Sequence, residues 1–335
     1  MARNKNVYMI VDTETATLPF VNEIDCGNPE IRKKVAIAKP LVYDIGWILM
    51  HRDGTVFCKR QYLIAEIFSV PNVFNTAYYR EKRPIYLEML VKGEIEIKTW
   101  NEIMEIFMED MAKADYIGAF NSMFDFKKAI PFTELYIKKL YSADYQAWEN
   151  NQKNLCKRIA AGSNKKNPHF DGEHFSFRGE ECELFDIWGM ACKHLLNKKG
   201  YKEMCFEGSM LTNSGDYFKT SAETAYRYLR EQYDFEEAHT ALADAEIESF
   251  ILSKILAKGK IDVGINYFPF QLLGHPMDYV RTMKPSEKRK KYADVIYQKM
   301  YDYCGLSEDE PPMPTKYQER TMAKMEILRG WMDEQ

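Results

Sequence analysis

This sequence lacks several things, and each absence narrows its class. No apolar run approaches the roughly 18 residues of a membrane helix, so no membrane partner is expected. No signal peptide is read at the start, where Met1-Ala2-Arg3-Asn4-Lys5-Asn6 leads straight into a strand-like run. Seven cysteines lie scattered at 26, 58, 156, 182, 192, 205 and 304 without a C-x-x-C pair. That spacing argues against a zinc ribbon and for reduced thiols in a cytoplasm. Positive charge is not in excess either. The net charge is −4, so no global basic field advertises nucleic acid, and local lysines or bound metal would have to do that electrostatic work. No internal repeat is visible.

What is present is an ordinary globular composition rich in aromatics, with 22 Tyr and 19 Phe, which suits packing and base stacking alike. A chain of 335 residues can form one large domain, or a domain with an extension. The run Val7-Tyr8-Met9-Ile10-Val11 has strand composition, and residues 41–50 and 55–64 read as two further strands around the Asp53-Gly54 turn. Thr99-Trp100-Asn101-Glu102 fits a capping box, with Ile103, Phe107 and Met111 at helical spacing behind it, so a helix is expected over 100–113. A short buried strand is expected over 116–120, another near 183–187, and helices over 188–196, 221–231 and 240–257. Thr220-Ser221-Ala222-Glu223 is read as the capping box of the helix over 221–231. Strands first and strand–helix alternation later imply an α/β fold with a mixed sheet flanked by helices.

Residues 145–180 are polar and lysine-containing and read as an insertion. Residues 259–335, with Pro269, Pro276, Pro285 and Pro311-Pro312-Met313-Pro314, read as a mostly helical C-terminal extension. Its basic run Lys288-Arg289-Lys290-Lys291 reads as a solvated face, with contact to a nucleic-acid backbone as the sharper alternative. Glu308-Asp309-Glu310 is its acidic counterpart.

The chemistry-bearing residues begin with Asp12 and Glu14. Two apart on a strand, they share one face. Two carboxylates that close repel unless a cation sits between them, and hard divalent ions such as Mg²⁺ or Mn²⁺ take oxygen ligands. Asp125 stands at a strand-to-helix junction. Asp244 lies in Ala241-Leu242-Ala243-Asp244-Ala245, where small residues let a helix pack close to a sheet, and His239 precedes it by five positions.

Together these residues read Asp12-x-Glu14, Asn121-x-x-Phe124-Asp125 and His239-x-x-x-x-Asp244. The pattern resembles the three motifs of the DEDDh family, the DnaQ-like 3′→5′ exonucleases. Val11-Asp12-Thr13-Glu14-Thr15 and Glu237–Ala245 match closely, and Tyr43-Asp44-Ile45-Gly46-Trp47 is similar to the family's second strand. The resemblance covers roughly 7–258, with insertions near 20–40, 65–95 and 145–180. It implies a ribonuclease-H-like fold, a five-stranded mixed sheet flanked by helices.

By the same resemblance, Asp12, Glu14, Asp125 and Asp244 would hold two divalent cations, and His239 would be the general base. Related families place Tyr four residues before the last Asp, where this chain has Thr240. Backbone amides near Thr13 and Thr15 would meet the terminal nucleotide. Leu18 would pack on its base or simply cover the core. Asn121 would support the site or cap the next helix, and Asp186 is held as structural. Ala16-Thr17 stand where the family has Gly.

The expected reaction is hydrolysis of nucleic acid, with single-stranded DNA favoured over RNA, to nucleoside 5′-monophosphates. Alternatives are an RNA-trimming or short-oligonucleotide exoribonuclease and a non-catalytic replisome component. Proofreading would need a separate polymerase or replication protein as partner. The insertions and tail are similar to those of stand-alone phage exonucleases, which would place the protein in a host cytoplasm.

Overall fold

Buried on both faces, the run Val7–Thr17 forms the central strand β1 of a seven-stranded sheet. It alternates little because both sides are covered. The structure is a computed structural model, and it describes residues 7–24, 29–161, 172–259, 261–305 and 316–333. Cys26, Lys165, Lys166, Glu308-Asp309-Glu310 and Pro311–Pro314 lie outside the described residues.

The other strands are β2 (Pro40–His51), β3 (Val56–Ile64), β4 (Glu96–Lys98), β5 (Tyr116–Ala119), β6 (His174–Phe177) and β7 (Glu180–Asp186). Their order is β4-β3-β2-β1-β5-β7-β6. β1, β2 and β3 form the expected antiparallel meander, while β5 runs parallel to β1 and β7 parallel to β5. The sheet is therefore mixed, but it has seven strands where five are expected. The two additions are short edges: β4 follows the 65–95 insertion and pairs with β3, and β6 arises within the 145–180 insertion and pairs with β7.

The chain divides into two compact units. One holds residues 1–187 and 236–265, the other 188–235 and 266–335. The composition shift near 258 suggested a single boundary there. Instead, residues 188–235 leave the sheet unit and group with the C-terminal stretch.

Within the sheet unit, register decides what each face carries. Asp12 lies opposite Gly46, and Glu14 opposite Asp44. Alternation along each strand puts all four on one face. The helix Ala241–Leu256 covers that face, contacting β1, β2 and β3. It sits so close at Gly46 that a Cβ there would lie 2.5 Å from the backbone nitrogen of Leu242. Trp47 points to the other face, where its ring meets Phe107 of the helix Trp100–Met111 edge-on at 5.4 Å and its Nε1 donates to Asp110 at 3.0 Å. That helix carries its expected capping box: Glu102 N–H donates to Thr99 Oγ1, and Thr99 N–H donates to Glu102 Oε2 at 2.9 Å.

The second unit is helical, with helices Lys199–Glu207, Ala222–Arg230, Pro276–Arg281, Glu287–Cys304 and Lys316–Asp333. Its core includes Phe206 stacked on Tyr292 at 4.2 Å. The cap at 220–223 falls one residue later than expected. Ser221, not Thr220, accepts from the Thr224 N–H, and Glu223 pairs with Arg227. The helix expected over 188–196 is an α-turn, Ile187–Ala191, that widens into a π-helix at Cys192–Leu196. Among the described residues, no helix is long and apolar enough to cross a membrane.

Because backbone, not a flexible side chain, faces Gly46, Gly46→Ala is expected to destabilise the protein by about 1–3 kcal/mol or more. Urea unfolding checks this, and an unchanged midpoint would mean that the helix is not seated at that residue.

Candidate metal and acid–base site

The site begins with a helix that has no cap of its own. Thr240 stands at the N-cap of Ala241–Leu256, but its side chain caps nothing. The Ala241 N–H instead donates to Asp44 Oδ2 on β2, at 3.0 Å. Asp44 is fully buried and also accepts from Gln61 Nε2 and from the Tyr86 hydroxyl at 2.9 Å. A carboxylate at a helix N-terminus satisfies an orphan donor and meets the positive end of the helix dipole. Burial still pushes Asp44 up to about 6, although its three donors oppose this.

That anchoring delivers Asp244 and Glu248, one helical turn apart, onto the face that carries Asp12 and Glu14. Asp125 arrives from the short helical segment after β5. Its Oδ1 accepts from Thr13 Oγ1 at 2.6 Å. Glu14, Asp125, Asp244 and Glu248 are each at most 9% exposed. Burial, and then the charges of Glu248, Asp244, Asp125 and Glu14, raise the Asp12 carboxyl well above its ordinary range. Burial, Asp244 and Asp44 do the same to Glu14, against the pull of Lys82. Burial lifts Asp125 to about 7 despite Thr13. Glu248 is raised by burial and then by Asp125 and Asp244, although the Phe120 N–H donates to it at 3.1 Å.

His239 completes the group from the loop before the helix. Its backbone is left-handed, with φ of 52°, a strain on the order of 1 kcal/mol that recurs at functional sites. Its Nδ1 lies 3.8 Å from Asp244 Oδ2 and 3.6 Å from Glu237 Oε2. Asp244 raises the imidazole above its ordinary value, burial opposes this, and Glu237 adds to it. The Tyr79 ring stacks on the imidazole at 4.3 Å.

The donor chemistry fits a hard cation. Glu14, His239 and Asp244 each offer a ligand atom, all within 4.8 Å of one another. Asp244 Oδ1 is buried without a hydrogen-bond partner, so one lone-pair-bearing oxygen is left for a cation to satisfy.

The expected residues fall into two groups. Asp12, Glu14, Asp125, Asp244 and His239 converge. The expected substrate contacts are more varied, and for Thr13 and Thr15 the expectation concerns the backbone amides. Thr13 is buried, and its hydroxyl is spent on Asp125. Leu18 is fully buried in the core. Thr15 is half-buried, just past a register shift that follows Glu14. Asn121 is exposed and its side chain makes no cap. Ser122 does the local work, accepting from the Ala119 N–H at 2.8 Å and donating to the Phe185 carbonyl at 2.6 Å. Asp186 accepts the Ser122 N–H at 3.3 Å, a structural role.

Four residues of this site carried no assignment in the sequence. Glu248 was within reach of helical spacing, since it follows Asp244 by one turn. Asp44 required the β1–β2 register. Tyr79 and Lys82 come from the 65–95 insertion and have no local signal. Elsewhere, the basic run 288–291 is neutralised within its own unit: Lys288 pairs with Glu203, Lys290 with Glu287 and Lys291 with Glu207, while Arg289 lies over the Trp331 ring. This agrees with the solvated-face reading of the run.

Compared with protein-family models, with curated proteins and with solved structures, the chain finds no match.

Each raised carboxyl holds its proton more tightly folded than unfolded. Folding therefore takes up protons, and stability is lost as pH rises through about 6 to 7 and beyond. In chelator, the unfolding midpoint is expected to fall between pH 5 and pH 8. Mn²⁺ should restore several degrees at pH 8, since 1 kcal/mol moves a domain of this size by about 2–4 °C. Asp125→Asn should flatten the chelator profile. Thermal unfolding checks this, and a midpoint flat with pH and indifferent to Mn²⁺ would contradict the reading.

Proposed function

We propose that this protein is a metal-dependent 3′→5′ exonuclease that hydrolyses phosphodiester bonds of nucleic acid, with single-stranded DNA 3′ ends favoured. The observation that carries the reading is the convergence of Asp12, Glu14, Asp125 and Asp244 with His239 from three separate stretches of chain. The central strands support it as well. Within the seven, β3-β2-β1 run antiparallel and β1-β5-β7 parallel, a mixed run of five that supports a ribonuclease-H-like reading.

Asp12, Glu14, Asp125 and Asp244 would hold Mg²⁺ or Mn²⁺. When bound, the cations supply charge to stabilise the attacking and leaving oxygens of an in-line displacement. His239 is the general base. Its ring is half-exposed, so water and substrate can reach it, and Asp244 and Glu237 on its Nδ1 side orient it. An imidazole whose proton affinity is raised by Asp244 is suited to accept a proton from the attacking water. Thr13 keeps the Asp125 carboxylate turned inward, and Asp44 keeps the helix that carries Asp244 in register with Glu14.

The test is degradation of end-labelled single-stranded DNA, duplex DNA and RNA, with Mg²⁺ or Mn²⁺ and with chelator. Asp12→Ala and Asp244→Ala are expected to abolish hydrolysis while leaving the fold intact. His239→Ala is expected to slow it by about 10²–10⁴-fold. Near-normal activity in either Asp variant would end the metal assignment, and an unchanged pH–rate profile would remove His239 as base.

A further inference from the structure

The stretch Tyr78-Tyr79-Arg80-Glu81-Lys82 lies outside the three motifs, in the 65–95 insertion, yet it reaches the site. Tyr79 stacks on His239 with ring planes 13° apart. Lys82 donates to the Ala238 carbonyl, beside His239, and its ammonium lies 5.3 Å from the Tyr79 ring centroid. Tyr78 packs edge-on against Tyr79, with centroids 4.8 Å apart and planes at 88°. Even so, Tyr78 is 78% exposed, more than any other large apolar aromatic among the described residues.

Single exposed apolar residues are ordinary. This one differs in being held in orientation, two ring contacts from the imidazole. It rests edge-on against another ring and is not buried itself.

The charge distribution makes such a ring useful. A strand entering this site meets a cluster of acids, in a chain of net charge −4. Its most conspicuous basic run is already paired internally. Without a bound cation, these acids repel backbone phosphates. Stacking is the other sequence-tolerant way to hold single-stranded nucleic acid, because every base has a π-face.

We propose that Tyr78 is the base-stacking platform of a nucleic-acid subsite and takes the base of a nucleotide next to the bond that is cut. Tyr79 and Lys82 link this platform to the His239 loop. The proposal rests on the exonuclease reading and names where the substrate strand is held.

The probe is a single-stranded oligonucleotide, as DNA and as RNA, carrying 2-aminopurine at one of its last few 3′ positions. Stacking quenches its fluorescence. The full chain is expected to quench it in chelator, where no cleavage occurs. Tyr78→Ala is expected to remove the quenching and to weaken Kd by about 5- to 150-fold, the range for loss of one base–aromatic stack. With Mg²⁺, its KM should rise by a similar factor at nearly unchanged kcat, because uniform binding is what is lost. Tyr78→Trp should retain all three properties. Since Tyr78 is exposed, the variants are expected to fold normally.

Wild-type binding or degradation with Tyr78→Ala unchanged in Kd, quenching and KM would overturn the platform and leave the exonuclease reading standing. Binding with quenching that depends on Tyr78 but no degradation under any metal would sustain the stacking contact and overturn the nuclease, and with it the place beside a cut bond. Neither binding nor degradation of either strand would overturn both.

Discussion

One buried hydrogen bond organises this molecule's candidate chemistry: the Ala241 N–H donating to the carboxylate of Asp44. It replaces the cap that Thr240 does not provide, and it ties the start of the helix Ala241–Leu256 to the strand beside β1. The helix can approach that closely only because Gly46 has no side chain. From these two contacts follow the position of Asp244 over Glu14, that of Glu248 one turn on, and that of the loop carrying His239. The sheet offers Asp12, Glu14 and Asp44, the segment after β5 offers Asp125, and the docked helix brings Asp244 and Glu248 to them.

Such a gathering is unfavourable by itself. Buried like charges raise one another's proton affinity, and the neighbouring cation that opposes this at Glu14 is Lys82. The fold tolerates the cluster because the surroundings are rigid: antiparallel pairing at Asp12 and Glu14, the Thr13–Asp125 bond, and the Phe120 amide on Glu248. Local strain accompanies it in the left-handed backbone of His239, held by the Tyr79 stack and by Lys82 on the adjacent carbonyl. An insertion that looked incidental to the motifs thus braces His239.

Much of the local structure was legible in the chain. The β-branched and aromatic run at 7–11, the capping box at Thr99 and the small residues at 241–245 each declare a local preference that tertiary packing did not override. Local rules failed where two neighbours could do the same job. Ser221 caps in place of Thr220, and Ser122 binds the backbone where Asn121 was a candidate cap, because side-chain caps are chosen by the dihedral angles the flanking structure imposes. The two edge strands escaped because β4 and β6 are three and four residues long and lie in polar stretches, unlike the equally short but apolar β5.

The sequence by itself determined which acids share a strand face, where a helix of small residues could pack, and which histidine stands near the last acid. These are consequences of spacing along one element. Only the tertiary structure decided that Asp44 opposes Glu14, that Gly46 admits the helix, that Glu248 joins the acids, and that Tyr79 and Lys82 meet His239. Those relations depend on strand register and on contacts between residues far apart in the chain. No periodicity records them, because register and docking are selected by the fit of whole faces and not by any one segment.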